Sequence, residues 1–379
     1  MLFDNPIYVG RPNVGDRAEF EALVDRIFES GWLSNSGPLV VELEARLADF
    51  LGVRNCVAMC NGTVALEIAA RALGLTGEVI VPSYTFIATA HALYWQGLTP
   101  VFADIAKETH NLDPESVRQA ITSETSGIVG VHLWGRAAPV DELQQIASEH
   151  GLRLMFDASH AFGNRHRGQM IGTFGEAEVF SFHATKFFNT FEGGAVVTDN
   201  DELAESVRLM RNFGFVDFDE VVYPGTNGKM PEVSAAMGLV NLDSIENVVE
   251  RNRENHDAYR DVFAAETLVD LLLFDQRSGS NCQYVVIELA AGAVEYRDRL
   301  VADLHAENVW ARRYFWPGCH RMEPYRTLFP ESGERLPNTV DVAERVVVLP
   351  TGTAVTPDDC RLIGEFVVSR LRDYCAERG

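Results

Sequence analysis

The chain has 379 residues, enough for two cores, and its 46% hydrophobic and 10% aromatic content is that of an ordinary globular protein. Its formal net charge of −23, from 55 acidic and 32 basic residues, repels nucleic acid and anionic lipid, so an anionic ligand must be held by a local cradle rather than a basic groove. No apolar run approaches bilayer length, and the first 16 residues lack a basic stretch followed by an apolar core, so a cytoplasmic protein with no membrane and no nucleic-acid partner is expected.

Residues 16–30, DRAEFEALVDRIFES, place Phe20, Leu23, Val24, Ile27 and Phe28 at helical spacing, which predicts an amphipathic helix. From residue 55 short β-branched runs (NCVAMC, EVIVP, PVFADI, SGIVGVHLWG, LRLMFD, AEVFSFH, GAVVTD) alternate with helical patterns (VALEIAARALGL, TAHALYWQG, VDELQQIASEHG). Such alternation implies a mostly parallel sheet with helices on both faces. PEVSAAMGLVNLDSIENVVERNREN reads as one helix with Pro231 in its first turn and Val233, Ala236, Met237, Val240 and Ile245 as its buried stripe. Its charged end, ERNREN, reads as a solvent-exposed exit from a large α/β domain of residues 1–250. Beyond it, the strands NCQYVVIELA and RVVVLP and the helix YRDRLVADLHAENV predict a smaller α+β domain of residues 251–379. The six cysteines are scattered and form no metal-type pairs, so no metal is expected and all are read as reduced thiols, with Cys56 and Cys60 buried on one strand.

In open α/β sheets ligands gather beyond the carboxyl ends of the strands. Three candidates lie there. Asn61-Gly62-Thr63 follows the strand CVAMC and opens a helix, as a phosphate cradle or as a plain N-cap. Asp157 ends LRLMF, where a carboxylate can face a cationic ring nitrogen or cap a turn. Lys186, one of only three lysines, follows AEVFSFH, as a Schiff-base nucleophile or a solvated surface charge. Together, an anchor for phosphate, an acid and an amine projected from one sheet edge are what pyridoxal 5'-phosphate (PLP) requires.

The segments NGTVALEIAARALGL, VPSYTFIATAHALYWQGLTPVFADI, FDASHAFG, GTFGEAEVFSFHATK, EGGAVVT and GTNGKMPEVSAAMGL closely resemble the DegT/DnrJ/StrS-type sugar aminotransferases, over about residues 31–352. The resemblance implies an aspartate aminotransferase-like fold (PLP fold type I) and a homodimer with interfacial active sites. It implies Lys186 as the lysine that joins the cofactor, Asp157 as partner of the pyridinium nitrogen, Phe86 stacked on the ring and His160 beside the phenolic oxygen. Gly62, Thr63 and Ser181 would contact the phosphate, with Asn227 reaching it from the other subunit; His183 receives no role.

Lys229 stands where many members have arginine and cannot make a bidentate guanidinium contact. HRMEPYR, with His320 and Tyr325, matches the family's substrate-side H-x-x-P-x-Y with a spacing one residue short. Lys229, Arg313, His320 and Tyr325 are the expected substrate-side residues, and Arg165, Arg167, Lys229 and Arg313 the cations available to a diphosphate. The implied reaction moves an amino group from L-glutamate, through the pyridoxamine phosphate form, to a nucleotide-linked keto-deoxysugar, with C4 of dTDP-4-keto-6-deoxyglucose as the expected acceptor. A 3-keto-sugar aminotransferase and a non-catalytic binding protein on the same fold are the alternatives. Lys186 argues against the sugar dehydratases of this family, which carry histidine there.

Overall fold

The computed structural model describes residues 1–274 and 279–377. Its central sheet has seven strands: β1 (Asn55–Met59), β2 (Glu78–Pro82), β3 (Thr99–Ala103), β4 (Thr125–Val131), β5 (Arg153–Asp157), β6 (Ala177–Ser181) and β7 (Gly194–Thr198). Their order is β1-β7-β6-β5-β4-β2-β3, and β7 alone runs against its neighbours. Strands of this sheet read as unbroken apolar runs because helices cover both faces. Val57, Met59, Val79, Val81 and Val196 pack on one face, and Ala58, Phe180, Phe182, Ala195 and Val197 on the other. A second, antiparallel sheet has the order β8 (Val269–Leu271), β9 (Val285–Leu289), β10 (Val346–Leu349). Its core includes Leu300, Leu304, Ile363 and Val367, joined by Ile7 from the N-terminal segment, which pairs with Val309.

The first helix spans Arg17–Ser30, starts where Asp16 accepts the N–H groups of Ala18 and Glu19, and ends at Gly31 with φ 65°. Of its expected apolar face Ile27 is buried, whereas Phe28, one residue and roughly 100° further round the helix, points to solvent.

The segment from Pro231 is two helices, Glu232–Asp243 and Ile245–Phe263, rather than one. They part at Ser244, whose hydroxyl bonds back to the carbonyls of Val240 and Asn241 and competes with the helical ladder. Val233 is exposed, against expectation, and the neighbouring Glu232 is buried instead. Its carboxylate accepts the N–H groups of Leu39 and Val40, the first turn of the helix Pro38–Leu51, whose N-cap Gly37 offers no side chain. The stretch ERNREN is not an exposed exit. The helix continues through residue 250 to Phe263, and Asn252 and Asn255 are buried, donating to the carbonyls of Asn281 and Gly352. A charged stretch can carry a buried polar stripe when each amide finds a backbone partner. Cys60 falls just beyond β1 and is half-buried, while Cys56 is fully buried; all six thiols are free.

No helix among the described residues is long and apolar enough to cross a membrane, and among them no cluster of His, Cys, Asp or Glu could hold a metal ion.

Candidate active site

The carboxyl ends of β1, β2, β4, β5 and β6 lie at one edge of the central sheet, and the site is assembled from the residues that follow them. Asp157, the last residue of β5, is buried and keeps both oxygens engaged: Thr89 Oγ1 donates to Oδ2 at 2.8 Å and the Ser159 N–H to Oδ1 at 3.0 Å. Lys186 follows β6 and points its amine inward, where Nζ donates to the hydroxyl of Tyr284 at 3.2 Å. Burial lowers the ammonium from its usual 10.5 to about 8, although Asp157 and Tyr314 favour the charged form. Loss of hydration outweighs what Asp157 and Tyr314 return.

His160 is buried against Tyr284, with ring centroids 4.6 Å apart, and its Nδ1 accepts the backbone N–H of Trp134 at 3.2 Å. Burial, helped by the Lys186 charge, holds its imidazole well below the usual range. The carbonyl of His160 accepts from the side chains of Asn281 and Gln283, in the segment that leads into β9. Lys186 and His160 thus both meet Tyr284, Asp157 lies near enough to act on the Lys186 charge, and the three share one space at the sheet edge.

The turn after β1 adjoins it. Asn61 Oδ1 caps the helix Gly62–Ala72 by accepting the Val64 N–H, and the N–H groups of Gly62 and Thr63, at the first helical positions, have no intrahelical acceptor. A Cβ on Gly62 would sit 2.8 Å from the Cβ of Ser181 at the end of β6, so glycine is what lets the two strand ends close up. The cap and the cradle, alternatives in the sequence, are compatible in space: one N–H is used by the cap and two remain for an anion.

Phe86 is the N-cap residue of the helix Ile87–Trp95, is 55% exposed, and meets Phe315 edge-on at 6.4 Å, leaving a ring face uncovered. The loop of Lys186 is held from behind by the N-terminal segment. Asn13 Nδ2 donates to the Phe187 carbonyl, Asn189 Nδ2 donates to the Asn13 carbonyl, and Thr353 donates to Asn13 Oδ1.

The structure does not bring every expected residue to this space. Asn227 is exposed and bridges Asn212. Lys229 pairs with Met59 in an isolated bridge and sets its ammonium 4.6 Å from the centre of the Phe213 ring. Arg313 is engaged by Asp298 at 2.9 Å and by the face of Trp316. Arg165 and Arg167 line a separate cleft with Arg136 and His166, and Arg167 pairs with Asp141.

His320 and Tyr325 are buried in this chain. Tyr325 is fully buried against Phe102 and Tyr94 and its hydroxyl bonds His91 at 2.7 Å. His320 is buried with Nδ1 2.7 Å from Ser83 Oγ, and burial lowers its imidazole to about 4.

Tyr284, Thr89, Trp134, Tyr314 and Asn13 were not legible as site residues. Thr89 lies one helical turn beyond Phe86, and Tyr284 falls inside the predicted strand NCQYVVIELA, just before the observed β9; those positions are the local signals they carry.

The profile of the DegT/DnrJ/EryC1/StrS aminotransferase family matches residues 15–368. The chain belongs to that family. Among its relatives, the dTDP-4-amino-4,6-dideoxy-D-glucose transaminase of Escherichia coli is 36% identical over 371 residues, covering 97% of this chain and 100% of the relative. A GDP-perosamine synthase of Vibrio cholerae is 29% identical over 367 residues, covering 94% and 96%. Among solved structures, that of DesI in the presence of its TDP-sugar product superposes with a TM-score of 0.92 at 48% identity, covering 100% of this chain and 97% of that one. A Streptococcus pneumoniae protein solved in its PLP form gives a TM-score of 0.91 at 25% identity, covering 98% and 99%.

This aminotransferase thus has the fold type I architecture and is a PLP-dependent sugar aminotransferase. The residues present suit that cofactor: an amine of lowered basicity, a buried carboxylate, a cradle that only glycine permits, and an exposed aromatic face.

Proposed function

We propose that this aminotransferase moves an amino group from L-glutamate to C4 of dTDP-4-keto-6-deoxyglucose, in deoxyaminosugar biosynthesis. The 36% identity to a transaminase of dTDP-4-amino-4,6-dideoxy-D-glucose, over the full length of that relative, carries the choice of sugar. Bound PLP supplies an electron sink for the carbon that gains or loses the amino group.

The chain's own residues do the rest. Lys186 would bind the cofactor covalently and its Nζ would take and return the proton at the reacting carbon, for which an amine whose basicity burial lowers to about 8 is suited. Asp157, whose two oxygens accept from Thr89 and Ser159, would face the ring nitrogen and keep a proton there. His160 orients the ring from the side of Tyr284, Phe86 covers one ring face, and Gly62, Thr63 and Ser181 hold the phosphate. Lys229 and Arg313 remain candidates for the sugar diphosphate.

The working unit in this reading is a cytoplasmic homodimer, with Asn227 reaching the partner's phosphate site. In support, the hairpin of Phe215–Asp217 and Glu220–Val221 exposes Phe215, Val216, Phe218 and Val221, an apolar surface of the kind that marks an interface. The test is a panel of nucleotide-linked 3-keto and 4-keto sugars with glutamate and mass spectrometry of the products. A 4-amino-4,6-dideoxyglucose product is expected, and amination at C3 alone would replace the proposed acceptor by the 3-keto alternative.

A further inference from the structure

His160 carries a constraint that its place beside Lys186 does not explain. Its Nδ1 accepts the Trp134 N–H, so Nδ1 bears no proton and the neutral ring must carry its proton on Nε2. Among the described residues none bonds Nε2, which leaves that N–H available to a ligand.

The donor of that bond is held in an unusual way. Trp134 has φ 60° and ψ 5°, a left-handed conformation that bulky residues rarely adopt, and is followed by Gly135 at φ 89°. The indole that anchors this turn is fully buried, stacked on Phe315 at 5.2 Å, and its Nε1–H donates to His110 Nδ1 at 3.0 Å. His110 therefore also carries its proton on Nε2, which lies 2.8 Å from Glu288 Oε1. Glu288 is on β9, the central strand of the small sheet.

We propose that Glu288, His110 and Trp134 form a positioning chain from the small sheet to His160 that fixes His160 as the neutral Nε2–H tautomer, presenting a donor to the ligand. The indole N–H and the backbone N–H of Trp134 can each only donate, so both histidines accept at Nδ1, and the proton left on His110 Nε2 is donated to Glu288. Without Glu288 the His110 ring is free to turn a proton toward the indole N–H, the left-handed turn loses its anchor, and the Trp134 N–H withdraws from His160. The identity of the ligand rests on the function proposed above; the tautomer does not.

Carbon–nitrogen correlation spectra of 13C,15N-histidine-labelled protein, with His160 assigned by its loss in His160→Asn, read the tautomer directly in both the PLP-loaded and the cofactor-free protein. A single Nε2–H form is expected in each. An imidazolium or an Nδ1–H form in the wild type overturns the proposal. Glu288→Leu should split the His160 signal between tautomers and lower kcat by about 10-fold to 100-fold with little change in KM for glutamate. Glu288→Gln, whose amide oxygen still accepts, should restore both. A folded Glu288→Leu variant with the wild-type His160 signal overturns the chain, and His110→Leu repeats the test from the next link. Failure of the protein to develop visible absorbance with PLP would sink the function reading and leave the tautomer measurement standing.

Discussion

The amine of Lys186 and the hydroxyl of Tyr284 lie 3.2 Å apart, although they belong to different sheets' connections and are separated by 98 residues. Tyr284 closes the space in which Lys186 loses its water, and burial pushes the Tyr284 phenol itself well up. Burial lowers the basicity of the lysine, and Tyr284, just before β9, is one of the groups packed against its amine.

That environment sets a pH dependence. The folded chain releases the Lys186 proton near pH 8, the unfolded chain near 10.5. Between these values the unfolded state holds the lysine proton more often than the folded one, so the contribution of Lys186 to the stability of the cofactor-free protein rises with pH across that window. Buried thiols and phenols whose protons are held more tightly in the folded chain pull the other way, so the test is a difference: urea midpoints measured from pH 7 to 11 should rise more, or fall less, in wild type than in Lys186→Met.

Lys186→Ala should abolish the visible absorbance of the Schiff base and its trapping by borohydride. Transamination should fall by about 10²-fold to 10⁴-fold or more, from the missing proton transfer alone. Stopped assays with high enzyme concentration measure the remainder; turnover at the wild-type rate would end the assignment.

Asp157→Asn keeps the shape of the residue and its contact with Thr89 but removes the charge that retains a proton on the ring nitrogen. The expected outcome is a loss in kcat of about 10²-fold or more, with a far smaller change in PLP affinity. Parallel kinetic and spectrophotometric titrations separate the two.

Gly62→Ala places a methyl 2.8 Å from Ser181 Cβ, too close for either strand end to keep its position. PLP affinity should weaken about tenfold, equivalent to about 1.4 kcal/mol. The double variant Gly62→Ala, Ser181→Gly should recover part of the loss, because the colliding atom is gone.

Tyr325→Phe distinguishes packing from substrate contact. Removing the hydroxyl that meets His91 should cost about 1 kcal/mol of stability, with kcat and the KM for the sugar unchanged. A selective rise in that KM would return Tyr325 to the substrate side.

Local chemistry was enough to read the alternation of strands and helices, and with it the parallel sheet, because hydrophobic period and length are properties of short segments. The strand-end positions of Gly62, Asp157 and Lys186 were legible for the same reason, since a ligand edge follows once the strands are placed. Local chemistry also misled: ERNREN reads as solvated, yet its asparagines find backbone carbonyls 29 and 97 residues away.

What the sequence by itself determined is the kind of chemistry, through an amine, an acid and a glycine turn at one sheet edge. Tertiary structure alone decided how those groups behave. The lowered basicity of Lys186, the burial of His160 and the withdrawal of Tyr325 into the core each depend on desolvation and hydrogen bonds supplied by distant segments. Periodicity cannot carry that information, because the cost of burying a charge is set by whichever atoms replace water around it.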